Sequence, residues 1–171
     1  RNIFALYDYH APEGKRLVYT IKKKRDRILT EHIAKEMAHL LTEYISEQQQ
    51  FSFFLTPIIV PVPITKRQKQ KRGFNQTEHI AQCLARELGA TYDPHLVLKT
   101  TETKKQALIT QKSERFLNVK NCFSINKKRN IKHQDIIIVD DLVTTGATIQ
   151  SLEKTLKRSG ARHIIAITVG H

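Results

Sequence analysis

The sequence has 171 residues, of which 40% are hydrophobic, and a net charge of +13. That is the size of one domain, or of one domain with a small appendage, with enough apolar residues to bury a core, so wholesale disorder is excluded. No apolar run reaches the length of a membrane span. The opening residue, Arg1, reads as a trimmed start, and no signal-peptide pattern follows it.

In chain order, Ile3 to Tyr9 reads as a strand or edge segment. Leu17 to Lys24 is a short, very basic element of undefined type. Thr30 to Ile45 is expected to be a helix capped by Thr30, with Ile33, Met37, Leu40, Leu41 and Tyr44 at helical spacing. Ile58 to Val62 is a short buried strand ended by Pro61 and Pro63, and a loop is expected from Pro63 to Gly73. Asn75 can cap a helix that runs to Leu88, with Glu78 three residues on and Gly89 as its stop. Leu96 to Leu98 is a strand, and Thr100 to Gln111 is a polar segment expected to be a mobile loop. A short helix at Ser113 to Leu117 and a strand at Cys122 to Ile125 follow. The chain closes on a strand at Asp135 to Asp140, a helix at Ala147 to Ser159 and a strand at His163 to Val169.

Strands and helices alternate from residue 58 onward, and the strands are short and fully apolar. That pattern predicts an α/β fold with a mainly parallel sheet covered on both faces. We expect residues 1–50 to form a small strand-and-helix subdomain and residues 51–171 the core. Two separated cysteines, Cys83 and Cys122, make no metal-ligand set and read as reduced thiols of a cytoplasmic protein.

The basic residues come in bursts, at Lys22 to Arg25, Lys66 to Arg72 and Lys127 to Arg129. Such a surface favours phosphorylated ligands or nucleic acid, without separating the two.

The segment Ile136 to Ile149 carries the chemistry. Four apolar residues build a strand, and Asp140 and Asp141 follow at its carboxyl end. Next comes a hydroxyl-rich turn with Thr144, Thr145, Gly146, Ala147 and Thr148, and then a helix. The turn's amides and the helix N-terminus suit a phosphate, and Gly146 allows close approach or positive φ. The carboxylates suit a ribose diol or a hydrated Mg²⁺. A phosphate beside a diol is a sugar phosphate. The P-loop and Rossmann glycine patterns are both absent.

Asp140-Asp-Leu-Val-Thr-Thr-Gly-Ala-Thr148 resembles the 5-phosphoribosyl-1-pyrophosphate (PRPP) motif of type I phosphoribosyltransferases. The resemblance implies that fold. It implies Asp140 and Asp141 on the ribose hydroxyls, residues 144 to 148 around the 5′-phosphate, and Mg²⁺ arriving with the pyrophosphate. The stretch Pro61-Val-Pro-Ile, then Lys71-Arg-Gly-Phe-Asn-Gln76, is similar to the ComF family of bacterial competence proteins, with a ComFC-type protein the nearest description. Further matches lie at Leu98 to Gln111 and Arg115 to Asn118.

Between Gln48 and Thr77 there is no acidic residue, so the basic run can form a second anion site. The resemblance makes it the pyrophosphate loop, with Lys66, Arg67, Lys71, Arg72 and Gly73. It likewise makes Thr100 to Gln111 a flexible loop, where Lys104, Lys105, Gln106 and Arg115 would cover the pyrophosphate. A base-recognising hood is expected only from residues 1–50. The family's frequent four-cysteine zinc ribbon has no counterpart in these residues.

Family membership implies PRPP binding in natural transformation, with single-stranded DNA and other competence proteins as partners. The alternative is an active Mg²⁺-dependent phosphoribosyltransferase with an unknown acceptor. A plain nucleic-acid module fits poorly, because paired carboxylates repel phosphodiesters.

Overall fold

The computed structural model describes residues 3–23, 26–47, 56–100 and 122–171. The apolar runs pair into one parallel sheet. β1 (Ile3–Tyr7), β2 (Ile58–Pro61), β3 (Thr91–Tyr92), β6 (Ile136–Leu142) and β7 (Ile164–Gly170) lie in the order β1-β7-β6-β2-β3. A separate antiparallel pair joins β4 (Val97–Lys99) to β5 (Phe123–Ile125).

Side chains alternate along a strand, so each buried strand feeds two cores. Ile137, Val139, Ile165 and Ile167 face α1 (Pro12–Lys23), α2 (Arg27–Glu47) and α4 (Gln76–Leu88). Ile136, Ile138, Ile164 and Ala166 face α5 (Ala147–Arg158) and the β4–β5 pair. Residues 3–47 thus supply an edge strand and two helices to this architecture. Cys83 and Cys122 form no disulfide among the described residues and are buried, and burial pushes both thiols up.

Strand ends shift by one or two residues and β3 was not expected, but the larger differences from the sequence reading lie elsewhere. The basic element at residues 17–24 belongs to a helix that starts at Pro12, with Val18 and Ile21 on its buried side. Thr30 does not cap α2. It is buried one turn in, its hydroxyl donates to the Asp26 carbonyl (2.7 Å), and Asp26 accepts from the Leu29 amide (3.0 Å).

The Pro63–Gly73 loop is mostly helix, α3 (Lys66–Arg72). Thr65 and Gln68 form a reciprocal capping box, and Gly73 closes the helix at φ 75°. That helix has no apolar stripe, so periodicity could not reveal it. Finally, β6 runs past Asp140 to Leu142, so both aspartates lie inside the strand. The expected helix at Ser113 to Leu117 lies outside the described residues.

Proline in β2 fits the sheet. Val62 donates its amide to Val139 (2.9 Å), and Ile58 donates to Asp135 (2.9 Å). The Pro61 nitrogen therefore faces β3, whose ladder with β2 covers only Ile58 and Ile59. The missing donor costs nothing there.

Gly14 fixes α1 against the β1 exit. A Cβ at this position would sit 2.2 Å from the Asp8 carbonyl oxygen. Gly14→Ala is therefore expected to lower stability by about 2 to 3 kcal/mol, the scale of overpacking. Chemical denaturation checks it, and a loss below about 0.5 kcal/mol would mean that α1 can lift without cost.

Candidate functional site

The strand order places the site. From β2 the chain passes through α4 to β3 on one side; from β6 it passes through α5 to β7 on the other. β2 and β6 are neighbours, so a crevice opens between their carboxyl ends, where ligands of such sheets bind. Both segments singled out as anion sites leave this edge.

Asp140 and Asp141 occupy opposite sides of β6. Asp141 shares the side of Ile137 and Val139 and is buried. Its Oδ1 lies 3.3 Å from Lys22 Nζ of α1, and its Oδ2 accepts from Gln76 Nε2 of α4. Asp140 lines a small recess with Val143, Thr144, Gly146, Ala147 and Thr148. Its Oδ1 accepts the Asp141 amide (2.8 Å).

Protein atoms crowd Asp140, and this desolvation is the main cause that pushes its carboxyl up to about 8. The Asp141 charge adds to it, while the Asp141 amide, Lys22 and Lys99 work against it. Asp140 therefore holds its proton more tightly than an ordinary carboxyl does.

The turn after β6 keeps its donors outward. Gly146 is the N-cap of α5 at φ 71°, and no side chain caps that end. The Val143 amide donates to Gly170 (3.0 Å), and the Ala147 amide to Thr145 Oγ1 (3.4 Å). The amides of Thr144, Thr145 and Gly146 have no partner among the described residues. The recess itself holds only about 10 Å³, so a phosphate would rest on the open turn and not inside it. Thr144 is exposed, and Thr145 and Thr148 are half-buried.

The basic run sits on α3, which follows the carboxyl end of β2. Arg67 is exposed, and Gly73 donates its amide to Lys69 (2.7 Å). The side chains of Lys66, Lys71 and Arg72 lie outside the described residues, as do Lys104, Lys105, Gln106 and Arg115. Asn75 caps α4, accepting from the Thr77 amide (3.2 Å).

Sequence reading missed the partners of Asp141. Gln76 stood out only as the last residue of the Lys71-to-Gln76 motif, and it reaches β6. Lys22 belonged to an unassigned basic run. The R-G-F-N-Q stretch was the available signal for Gln76, and none existed for Lys22.

A family model described as a phosphoribosyl transferase domain matches residues 70–170. The chain belongs to the phosphoribosyl transferase domain family. Within it the chain is of the ComF type. The DNA utilization protein YhgH of Escherichia coli (strain K12) is 31% identical over 162 residues, covering 94% of this chain and 68% of that relative. Competence protein ComFC of Bacillus subtilis (strain 168) is 33% identical over 103 residues, covering 60% and 39%. Among solved structures, the glutamine PRPP amidotransferase from B. subtilis is 16% identical with a TM-score of 0.49, covering 81% and 25%. No helix among the described residues of this phosphoribosyl transferase domain is long and apolar enough to cross a membrane.

The raised carboxyl of Asp140 gives a pH signature. The folded state keeps a proton that the unfolded chain has already lost at the ordinary carboxylate value of 3.8, and releases it only near 8. Stability from this group is thus full at low pH and declines as pH rises through that window. Asp140→Asn stays neutral throughout. The melting temperature of Asp140→Asn minus that of the parent should therefore grow between about pH 5 and about pH 8. A difference that stays flat over that range would place Asp140 in a well-solvated position.

Proposed function

We propose that this protein binds PRPP at the β2–β6 crevice and acts in DNA uptake during natural transformation, in the cytoplasm. The observation that carries this reading is the turn after β6: three unpaired amides, an uncapped helix N-terminus and a left-handed glycine, beside a carboxyl. Together they suit a phosphomonoester next to a sugar hydroxyl. Asp140 takes a ribose hydroxyl, and residues 144 to 148 take the 5′-phosphate. Asp141 already holds Lys22 and Gln76, one on each oxygen, so a ribose hydroxyl would share those oxygens with them. The names of the relatives, DNA utilization protein and competence protein, support the DNA-uptake role. Single-stranded DNA and other competence proteins are the partners that follow from it.

Mg²⁺ fits this site as a companion of the ligand. Among the described residues no group of three or more His, Cys, Asp or Glu side chains could hold a metal by itself. Asp140 alone offers a carboxylate beside the turn. Such a hard cation keeps several waters and binds through one or two carboxylates and substrate phosphates. When bound, it neutralises pyrophosphate charge. The α3 residues Lys66, Arg67, Lys71 and Arg72, with Gly73, are assigned to that pyrophosphate, with Lys104, Lys105, Gln106 and Arg115 covering it.

A second reading, transfer of the phosphoribosyl group to an acceptor, draws on Asp140. Its ionised form would be a stronger base than an ordinary carboxylate, suited to taking a proton from an acceptor nitrogen. Pyrophosphate release from PRPP with each common nucleobase tests it, and no release with any of them ends it.

Calorimetric titration of the full chain with PRPP and Mg²⁺ decides the main reading. We expect saturable binding, weakened about tenfold to hundredfold in Asp140→Asn, the worth of a hydrogen bond to a charged group. No binding to the parent protein, or equal binding by both, would overturn it.

A further inference from the structure

The outer face of α1 takes no part in the PRPP site, except through Lys22. The helix buries Gly14, Val18 and Ile21 and turns Lys15, Arg16, Tyr19 and Lys23 outward. Lys15, Tyr19 and Lys22 fall at i, i+4 and i+7, so they form one stripe. Beside it opens a cavity of about 420 Å³, lined by Tyr9, Lys15, Arg16, Val18, Tyr19 and Lys22. None of these described lining residues is acidic. Tyr19 is 63% exposed, although it is a large ring, and the Lys23 ammonium lies 5.8 Å from its centroid. The exposed ring thus offers a stacking face beside a rim of cations.

We propose that this face of α1 binds single-stranded nucleic acid. Three cations at one rim match a phosphodiester backbone, and two tyrosines offer rings to unstacked bases. The chemistry favours a nucleic acid over an anionic membrane. The aliphatic residues of α1 turn inward, which leaves the outer face nothing to insert among acyl chains. It favours single strands over duplex, because a paired base has no free face for Tyr19.

The inference deepens the DNA-uptake reading, and it places the strand beside the PRPP crevice. Lys22 lines the α1 cavity and also pairs with Asp141, so it stands on the border between the two sites.

The test uses the full chain and a short fluorescent oligothymidylate, titrated by anisotropy at several salt concentrations. Tyr19→Ala should weaken binding roughly tenfold, the worth of one stacked base. Lys15→Gln with Arg16→Gln should make the slope of log affinity against log salt shallower by about 1.4, from two lost phosphate contacts. PRPP binding should be unchanged in both variants, which also shows that they fold. Unchanged oligonucleotide affinity and slope would place nucleic acid elsewhere and overturn the proposal. So would a duplex of the same length that competes equally well, or vesicles containing phosphatidylglycerol that bind the parent and lose Tyr19→Ala instead. Loss of the oligonucleotide in these variants of a parent that never binds PRPP would sink the PRPP reading and leave this one standing.

Discussion

The backbone pairing of β2 with β6 sets the position of every group in the site. Ile58 to Pro61 lie in register with Ile136 to Val139, and amides at both ends of β2 donate across to β6. The two strands therefore end side by side. Their connections must diverge, because α4 covers one face of the sheet and α5 the other. Diverging connections leave a crevice at the carboxyl edge that neither loop can fill. A shift of one residue in this register would exchange Asp140 and Asp141 between faces and bury the wrong acid.

The opposite edge of the sheet fixes β6 against β7. Asp135, buried just ahead of β6, accepts from Arg162 Nη2 (2.6 Å) and Nε (2.9 Å) and contacts His163 Nδ1 (2.9 Å), just ahead of β7. Burial works to raise the Asp135 carboxyl, but the Arg162 and His163 contacts outweigh it and hold it below its ordinary value. This clip joins the starts of β6 and β7, while the Val143 amide on Gly170 joins their ends (3.0 Å). The turn that follows β6 is thus fastened at its root, and only its tip is left open.

Much of this was legible in the residues. Runs such as Ile136 to Val139 can only be buried strands in a chain this polar, and Asn75 and Gly89 bracket α4 with their own chemistry. The turn at residues 144 to 148 announced its donors through threonine and glycine. What stayed hidden had no local signal. α3 is held by Thr65 and Gln68, not by an apolar stripe, so a polar run read as loop. α1 was masked by its charge: two buried aliphatics and a glycine pressed against Asp8 fix it, and only the tertiary contact reveals them. The pairing of Asp141 with Lys22 and Gln76 joins residues far apart in the chain, which spacing cannot show.

Two adjacent aspartates look equivalent in the sequence, and strand alternation makes them different. Asp141, with a lysine and an amide on its two oxygens, is satisfied as an anion. Asp140, crowded and beside that anion, is pushed toward its neutral form. The same strand thus holds two acids in opposite settings a single residue apart. Each depends on the other, because removing the Asp141 charge would relax Asp140, and moving Lys22 would load more negative charge beside it. A ligand that draws Lys22 toward its own phosphates therefore changes both acids at once. The chemistry of the crevice is coupled to α1, an element that sequence alone left without a shape.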